Sequence, residues 1–131
     1  MKLKFNFIKF IHENGNSYHK LKLINLLGSD YKEIDSLIND IKSFQKIDVS
    51  WPWKWQYNKP SGVVETISVI EVLSKYEFPK VKQAIPFLCS IQREDGGWSE
   101  NPRLASYIPY DWIFWRTDVS SAFFTEIFCL H

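Results

Sequence analysis

The feature that most limits what this chain can fold into is a seven-residue turn that occurs twice. Gln92-Arg93-Glu94-Asp95-Gly96-Gly97-Trp98 is the better-formed copy. Gln45-Lys46-Ile47-Asp48-Val49-Ser50-Trp51, 47 positions earlier, keeps the Gln, the basic residue, the Asp and the Trp in register. Further on, Glu71 and its apolar neighbours match Glu126 and its own, 55 positions on, so the segment after the second turn is longer by eight residues. An internal period in the forties is the mark of stacked helix pairs, each unable to bury its apolar face alone. The reading is therefore all-α, with three stacked helical hairpins over about 5–28, 30–76 and 79–130 in a single repeat domain of residues 1–131. The first hairpin lacks the Gln and the Trp and is read as an atypical cap.

Punctuation residues place the elements. A segment from Phe5 to His12 ends at the turn-forming Glu13-Asn14-Gly15-Asn16, and Ser17 is placed to cap a helix that runs to Leu27 and stops at Gly28. Ser29-Asp30 opens a third helix, about Tyr31 to Gln45, with Ile34, Leu37, Ile38, Ile41 and Phe44 along one face. Pro52 and Pro60 forbid a helix through the stretch between Asp48 and Pro60, which reads as an aromatic loop. Helix resumes over Gly62 to Tyr76 and again after Pro79 to Gln92, with a kink or restart expected at Pro86. After a long loop, Asp118 stands as the cap of a last helix to Leu130, whose apolar end carries no stop signal.

Within each turn the residue types suit a hairpin staple. The Gln at a helix end reaches carbonyls, the Asp accepts backbone amides, Gly96-Gly97 allows a reversal that a β-carbon is expected to forbid, and the Trp lies back on the helix ends. Gln45, Asp48, Trp51, Gln92, Asp95, Gly96, Gly97 and Trp98 are accordingly read as structural repeat residues.

Composition removes several function classes. Lys plus Arg number 16 against 15 for Asp plus Glu, so the net charge of +1 provides no field to recruit nucleic acid. No run approaches the roughly 18 apolar residues of a membrane span, and the N-terminal stretch lacks a cleavable leader pattern. Cys89 and Cys129 are too few for a disulfide framework and read as reduced thiols, which points to the cytoplasm. What stands out is 17% aromatic residues, including 6 Trp. They gather in two loops, Trp51, Trp53, Trp55 and Tyr57 in one, and Tyr107, Tyr110, Trp112, Phe114 and Trp115 in the other.

Gln92 to Glu100 resembles the QW repeat of squalene and hopene cyclases. The opening Asp118-Val119-Ser120-Ser121-Ala122 is similar to the helix that follows such repeats in terpenoid cyclases and protein prenyltransferase β subunits. The resemblance is strong over Pro79 to Leu130, weaker over Asp30 to Tyr76, and fades before that. It implies an α/α toroid, in which about six hairpins ring an apolar cavity, and this chain supplies about half of one. Three ways of completing it stay open: a fragment of a longer protein, a homo-oligomer, or an open half-ring.

The resemblance also implies chemistry that the residues do not supply. Class II cyclases protonate an alkene with Asp-x-Asp-Asp, and that sequence does not occur; the nearest acidic pair is Asp111 and Asp118. Prenyltransferases hold zinc with Asp, Cys and His, but Cys129 and His131 diverge by about 200° on a helix, and His12 with His19 reads as a surface pair. Cys89 and Gln92 have the spacing of a thioester without its central residues. No metal, no cofactor and no catalysis by this chain alone are therefore expected. Candidate ligand or interface residues are Trp51, Trp53, Trp55, Tyr57, Tyr110, Trp112, Trp115 and Arg116, with Lys54 and Arg103 nearby. They suit an isoprenoid or lipid through large apolar rings whose faces attract cations, or else a partner subunit. The alternative is a helical-repeat module that only binds proteins.

Overall fold

The computed structural model describes residues 6–28, 32–76 and 79–108, with the backbone alone at 79–81, and among these residues five α-helices alternate with turns. The described residues form two compact units, one ending at Ser43 and one beginning at Phe44.

In the first unit, α1 (Phe7–Asn14) is capped by Asn6, whose side chain accepts the Lys9 N–H at 3.1 Å. It buries no residue completely. Its end is fixed by Gly15, where a β-carbon would stand 2.6 Å from the Ile11 carbonyl oxygen, so only glycine lets the next helix begin so soon. α2 (Ser17–Leu27) opens on a reciprocal cap. Asn16 accepts the His19 N–H at 2.9 Å, and the Asn16 N–H donates to His19 Nδ1 at 3.3 Å. Asn16, not Ser17, is thus the cap; Ser17 instead donates its hydroxyl to Asp40 of α3 (Ile34–Ser43). Gly28 ends α2 at φ 64, as its sequence position implies. α2 packs on α3, and the residues these helices bury are Leu21, Leu23 and Ile24 from one and Leu37 and Ile41 from the other.

The second unit is built around α4 (Val63–Leu73). Val63, Thr66, Ile67, Val69, Val72 and Leu73 are all buried, so this helix is surrounded on nearly every side. Each such aliphatic side chain contributes about 1.5–3 kcal/mol over its exposed state. α4 packs against α5 (Pro79–Ser90), and Val63, Ile67, Leu88 and Trp98 form one cluster. α5 runs unbroken through Pro86, so the expected restart there does not occur.

The aromatic stretch is more ordered than the loop expected for it. β1 (Trp51–Pro52) pairs antiparallel with β2 (Ser61–Gly62), Trp51 opposite Gly62 and Pro52 opposite Ser61. The Trp53 N–H donates to the Pro60 carbonyl at 2.9 Å and continues the closure. The fold is therefore mostly helical with one small two-stranded sheet, a correction to the all-α expectation. Prolines mislead here because Pro52 needs no donor of its own where the pairing is only two residues long. The caps expected at Asp30 and Asp118, and the last helix, lie outside the described residues.

Candidate functional site

The two repeated turns share one hydrogen-bond scheme. In the first, the Lys46 N–H donates to the Ser50 carbonyl (2.9 Å), the Val49 N–H to the Lys46 carbonyl (2.9 Å), and the Ser50 N–H to Asp48 Oδ1 (3.1 Å). In the second, Arg93 donates to Gly97 (2.9 Å), Gly96 to Arg93 (2.8 Å), and Gly97 to Asp95 Oδ1 (3.0 Å). The side-chain amide of the Gln closes each turn, Gln45 onto the Val49 carbonyl at 3.4 Å and Gln92 onto that of Gly96 at 2.6 Å. Both Trp residues are buried. The Trp98 indole N–H donates to the Leu88 carbonyl at 2.9 Å, and the Trp51 N–H donates to Thr66 Oγ1 at 3.1 Å.

Both turns are left-handed at the same backbone position but fill it with different residues. Gly96 has φ 84, and its counterpart Val49 has φ 67. The reversal therefore does not require glycine, contrary to the expectation. A β-branched residue in the left-handed region carries a strain of about 1–3 kcal/mol. In the first turn extra hydrogen bonds offset it. Asp48 accepts from both hydroxyls of Ser50 and Ser61, and the Lys46 ammonium donates to the Lys59 carbonyl at 3.1 Å. Partial burial pushes the Asp48 carboxyl upward, but the two hydroxyls, the Ser50 N–H and the Lys46 charge outweigh it and hold the group below the usual carboxylate range.

Of the aromatic candidates, Trp51 and Trp53 are buried, Trp55 is half-buried and Tyr57 is exposed. Phe44 stacks on Tyr57 at 4.5 Å and meets Trp55 edge-on at 6.0 Å. Trp53 lies 6.3 Å from Tyr107, so the first aromatic loop touches the start of the second. Lys54 Nζ stands 4.6 Å above the Trp53 ring and Lys59 Nζ 4.2 Å above that of Tyr107. An open groove of about 480 Å³ runs beside the first turn, lined by Phe44, Ile47 and Tyr57 among others. Tyr110, Trp112, Trp115 and Arg116 lie outside the described residues, as do Asp111, Cys129 and His131. Among the described residues no cluster of three His, Cys, Asp or Glu could hold a metal ion.

Sequence reasoning passed over two buried carboxyls beside this loop. Glu65 sits in the first turn of α4 and Glu100 two residues beyond Trp98. Glu100 Oε1 accepts the N–H groups of Val63 at 2.6 Å and Asn101 at 2.9 Å, which caps α4 from a distance because Gly62 has no side chain to do so. Asn101 in turn donates its amide to the Ser61 carbonyl at 2.9 Å. The Glu65 carboxyl lies so close to Gly62 that a β-carbon there would fall 2.6 Å from its Oε2. Burial pushes Glu65 up to about 8, and the negative Glu100 adds to the rise, while the N–H groups of Lys54 and of Glu65 itself and the Lys54 charge pull it back. Burial likewise raises Glu100 against the pull of the Val63, Asn101 and Val64 amides. A readable signal did exist: Glu65 is the one charged residue among Val63, Val64, Thr66 and Ile67 at the start of the helix.

The described residues are mostly helical, and their two Gln-to-Trp turns share one hydrogen-bond scheme. The family model of the squalene-hopene cyclase C-terminal domain matches residues 17–123, and the chain belongs to that family. No curated protein and no solved structure matched it. The matched stretch takes in both turns, both carboxyls and the aromatic candidates; α1 lies before it.

Proposed function

We propose that the chain is part of a cyclase- and prenyltransferase-like α/α toroid, three hairpins over about 5–28, 30–76 and 79–130 making roughly half of the ring. Its repeated turns are QW staples, and it performs no catalysis on its own. Its contribution is an apolar, aromatic surface for an isoprenoid chain or a completing subunit, in the cytoplasm. The observation that carries this reading is the pairing of Trp53 with Tyr107, each with a lysine ammonium over its face. A ring face that holds an ammonium stabilises a cation by about 0.5–2 kcal/mol, and the lysines themselves suit a diphosphate. Tryptophan fluorescence titrated with farnesyl diphosphate tests it. Saturable quenching, weakened about tenfold in Tyr107→Ala, is expected if a stack of this strength is lost. Absence of quenching, with no lipid co-purifying by mass spectrometry, removes the isoprenoid from the reading.

A second arm, a homo-oligomer or another protein partner, is favoured by the exposed Ile47 and Tyr57 beside the first turn. Light scattering tests it: a concentration-independent monomer sinks self-association, and Ile47→Asp should weaken any dimer that forms.

A further inference from the structure

The corner between α1 and α2 depends on a histidine that stays neutral. Gly15 and Asn16 alone join these two helices, which pack on one another. The Asn16 side chain accepts the His19 N–H at 2.9 Å, and His19 Nδ1 accepts the Asn16 N–H at 3.3 Å. The usual residue at the third position of such a reciprocal cap is Glu or Gln, whose oxygen accepts throughout the neutral range. Imidazole accepts there only through a bare ring nitrogen. In the imidazolium both ring nitrogens carry hydrogen, so two donors would face each other at the corner. A positive charge would also enter the first turn of α2, where the helix dipole opposes it.

The groups around the ring act in the same sense. Partial desolvation holds His19 below the ordinary histidine value, and the Lys22 ammonium, one turn along α2, adds to it. Across the corner, α1 ends with His12 and Glu13, and Glu13 pairs with Lys9 at 3.8 Å. From α3, Asp40 accepts the Ser17 hydroxyl. What the cap secures is a weakly anchored helix. Among the described α-helices α1 is the one that buries no residue completely, and its Phe7 and Phe10 are exposed. With so few apolar contacts behind it, the corner carries more of its hold. We propose that His19 is an acid-released clasp on α1: the neutral ring locks the Gly15–Asn16 corner, and its protonation lets α1 leave α2 while α2 and α3 stay packed. A histidine kept below its unfolded value stabilises fully above about pH 6.5, and that contribution is lost as the pH falls through the folded value. The clasp therefore opens toward acid.

Nuclear magnetic resonance of the full ¹⁵N-labelled chain tests the clasp without any ligand, from about pH 7.5 to about pH 5, a range that spans histidine titration. The His19 ring should titrate below the ordinary histidine value, and the Asn16 amide signal should move with the same midpoint. Hydrogen-exchange protection across α1, taken relative to the intrinsic rate at each pH, should fall about fivefold over that range, the size of one lost helix cap, while protection in α4 holds. His19→Gln keeps an acceptor at the same place without a titration, so α1 should stay protected throughout. His12→Gln should leave the response as it was. A His19 midpoint at or above the ordinary value overturns the clasp, as does an Asn16 amide that ignores that midpoint. So does a loss of α1 protection that survives unchanged in His19→Gln or vanishes in His12→Gln. Should His19→Gln not fold, the His19 and Asn16 midpoints of the unsubstituted chain decide alone.

Discussion

The turns at Gln45–Trp51 and Gln92–Trp98 reach the same hydrogen-bonded shape from different residues. The second turn places Gly96 where the backbone must be left-handed, and its Gln bond is short. The first turn places Val49 there, with a long Gln bond, and compensates through the Asp48, Ser50 and Ser61 cluster. The shape of the repeat thus survives loss of its most characteristic glycine when polar groups around it are multiplied. The strain is local, and so is the remedy.

Removing the shared anchor should have the largest effect on either copy. Trp51→Ala and Trp98→Ala are each expected to destabilise by about 3–5 kcal/mol, read from urea midpoints, because both empty a large buried volume. A much smaller loss at one of them would show that the copies do not use the Trp alike. Gly96→Val, which writes the first turn's residue into the second, should cost about 1–3 kcal/mol from backbone strain, since no atom stands within 4 Å of the added β-carbon. No loss would mean that the second turn has compensation of its own.

Asp48→Ala is expected to cost about 1–2 kcal/mol by depriving the buried Ser61 hydroxyl and the Ser50 amide of their acceptor. The sign of its pH dependence follows from the lowered carboxyl. The Asp48 contribution is complete above the ordinary carboxylate range and fades as pH falls through the folded value, so acid unfolding should lose steepness in Asp48→Asn. Smallest and opposite in sign is Val49→Gly, which should stabilise by about 0.5–1 kcal/mol once relief of strain is set against the greater freedom of the unfolded chain. A destabilised Val49→Gly chain would mean that Val49 is retained for packing.

Most of the described helical architecture was legible because it rests on short-range rules. Gly28 ended its helix where its position implied, and the spacing of Leu37 and Ile41 located the buried face of α3. What escaped depends on partners far apart in sequence. The two-residue pairing of Trp51–Pro52 with Ser61–Gly62 is too short to leave an alternating pattern. Glu100 caps a helix whose first residue lies 37 positions earlier. Pro86 passes inside α5 because a proline removes one bond from a ladder that the packing of Ala84 and Leu88 can sustain. The aromatic candidates were visible as a group, but the sequence does not sort the buried Trp53 from the exposed Tyr57, since both stand at odd positions of one short hairpin.

Because Gln, the basic residue, Asp and their three reverse-turn bonds are satisfied within seven consecutive residues, each turn is a self-sealing joint. The chain beyond it can change length without disturbing the joint, as the eight extra residues after Trp98 illustrate. Doubling a flexible connection costs only about 0.6 kcal/mol in closure entropy. Evolution, or an engineer, can therefore splice new material downstream of Trp51 or Trp98 and leave the scaffold's joinery intact. The carboxyl cap from Glu100 marks the limit of that freedom, since an insertion between Trp98 and Glu100 would carry it away from the head of α4.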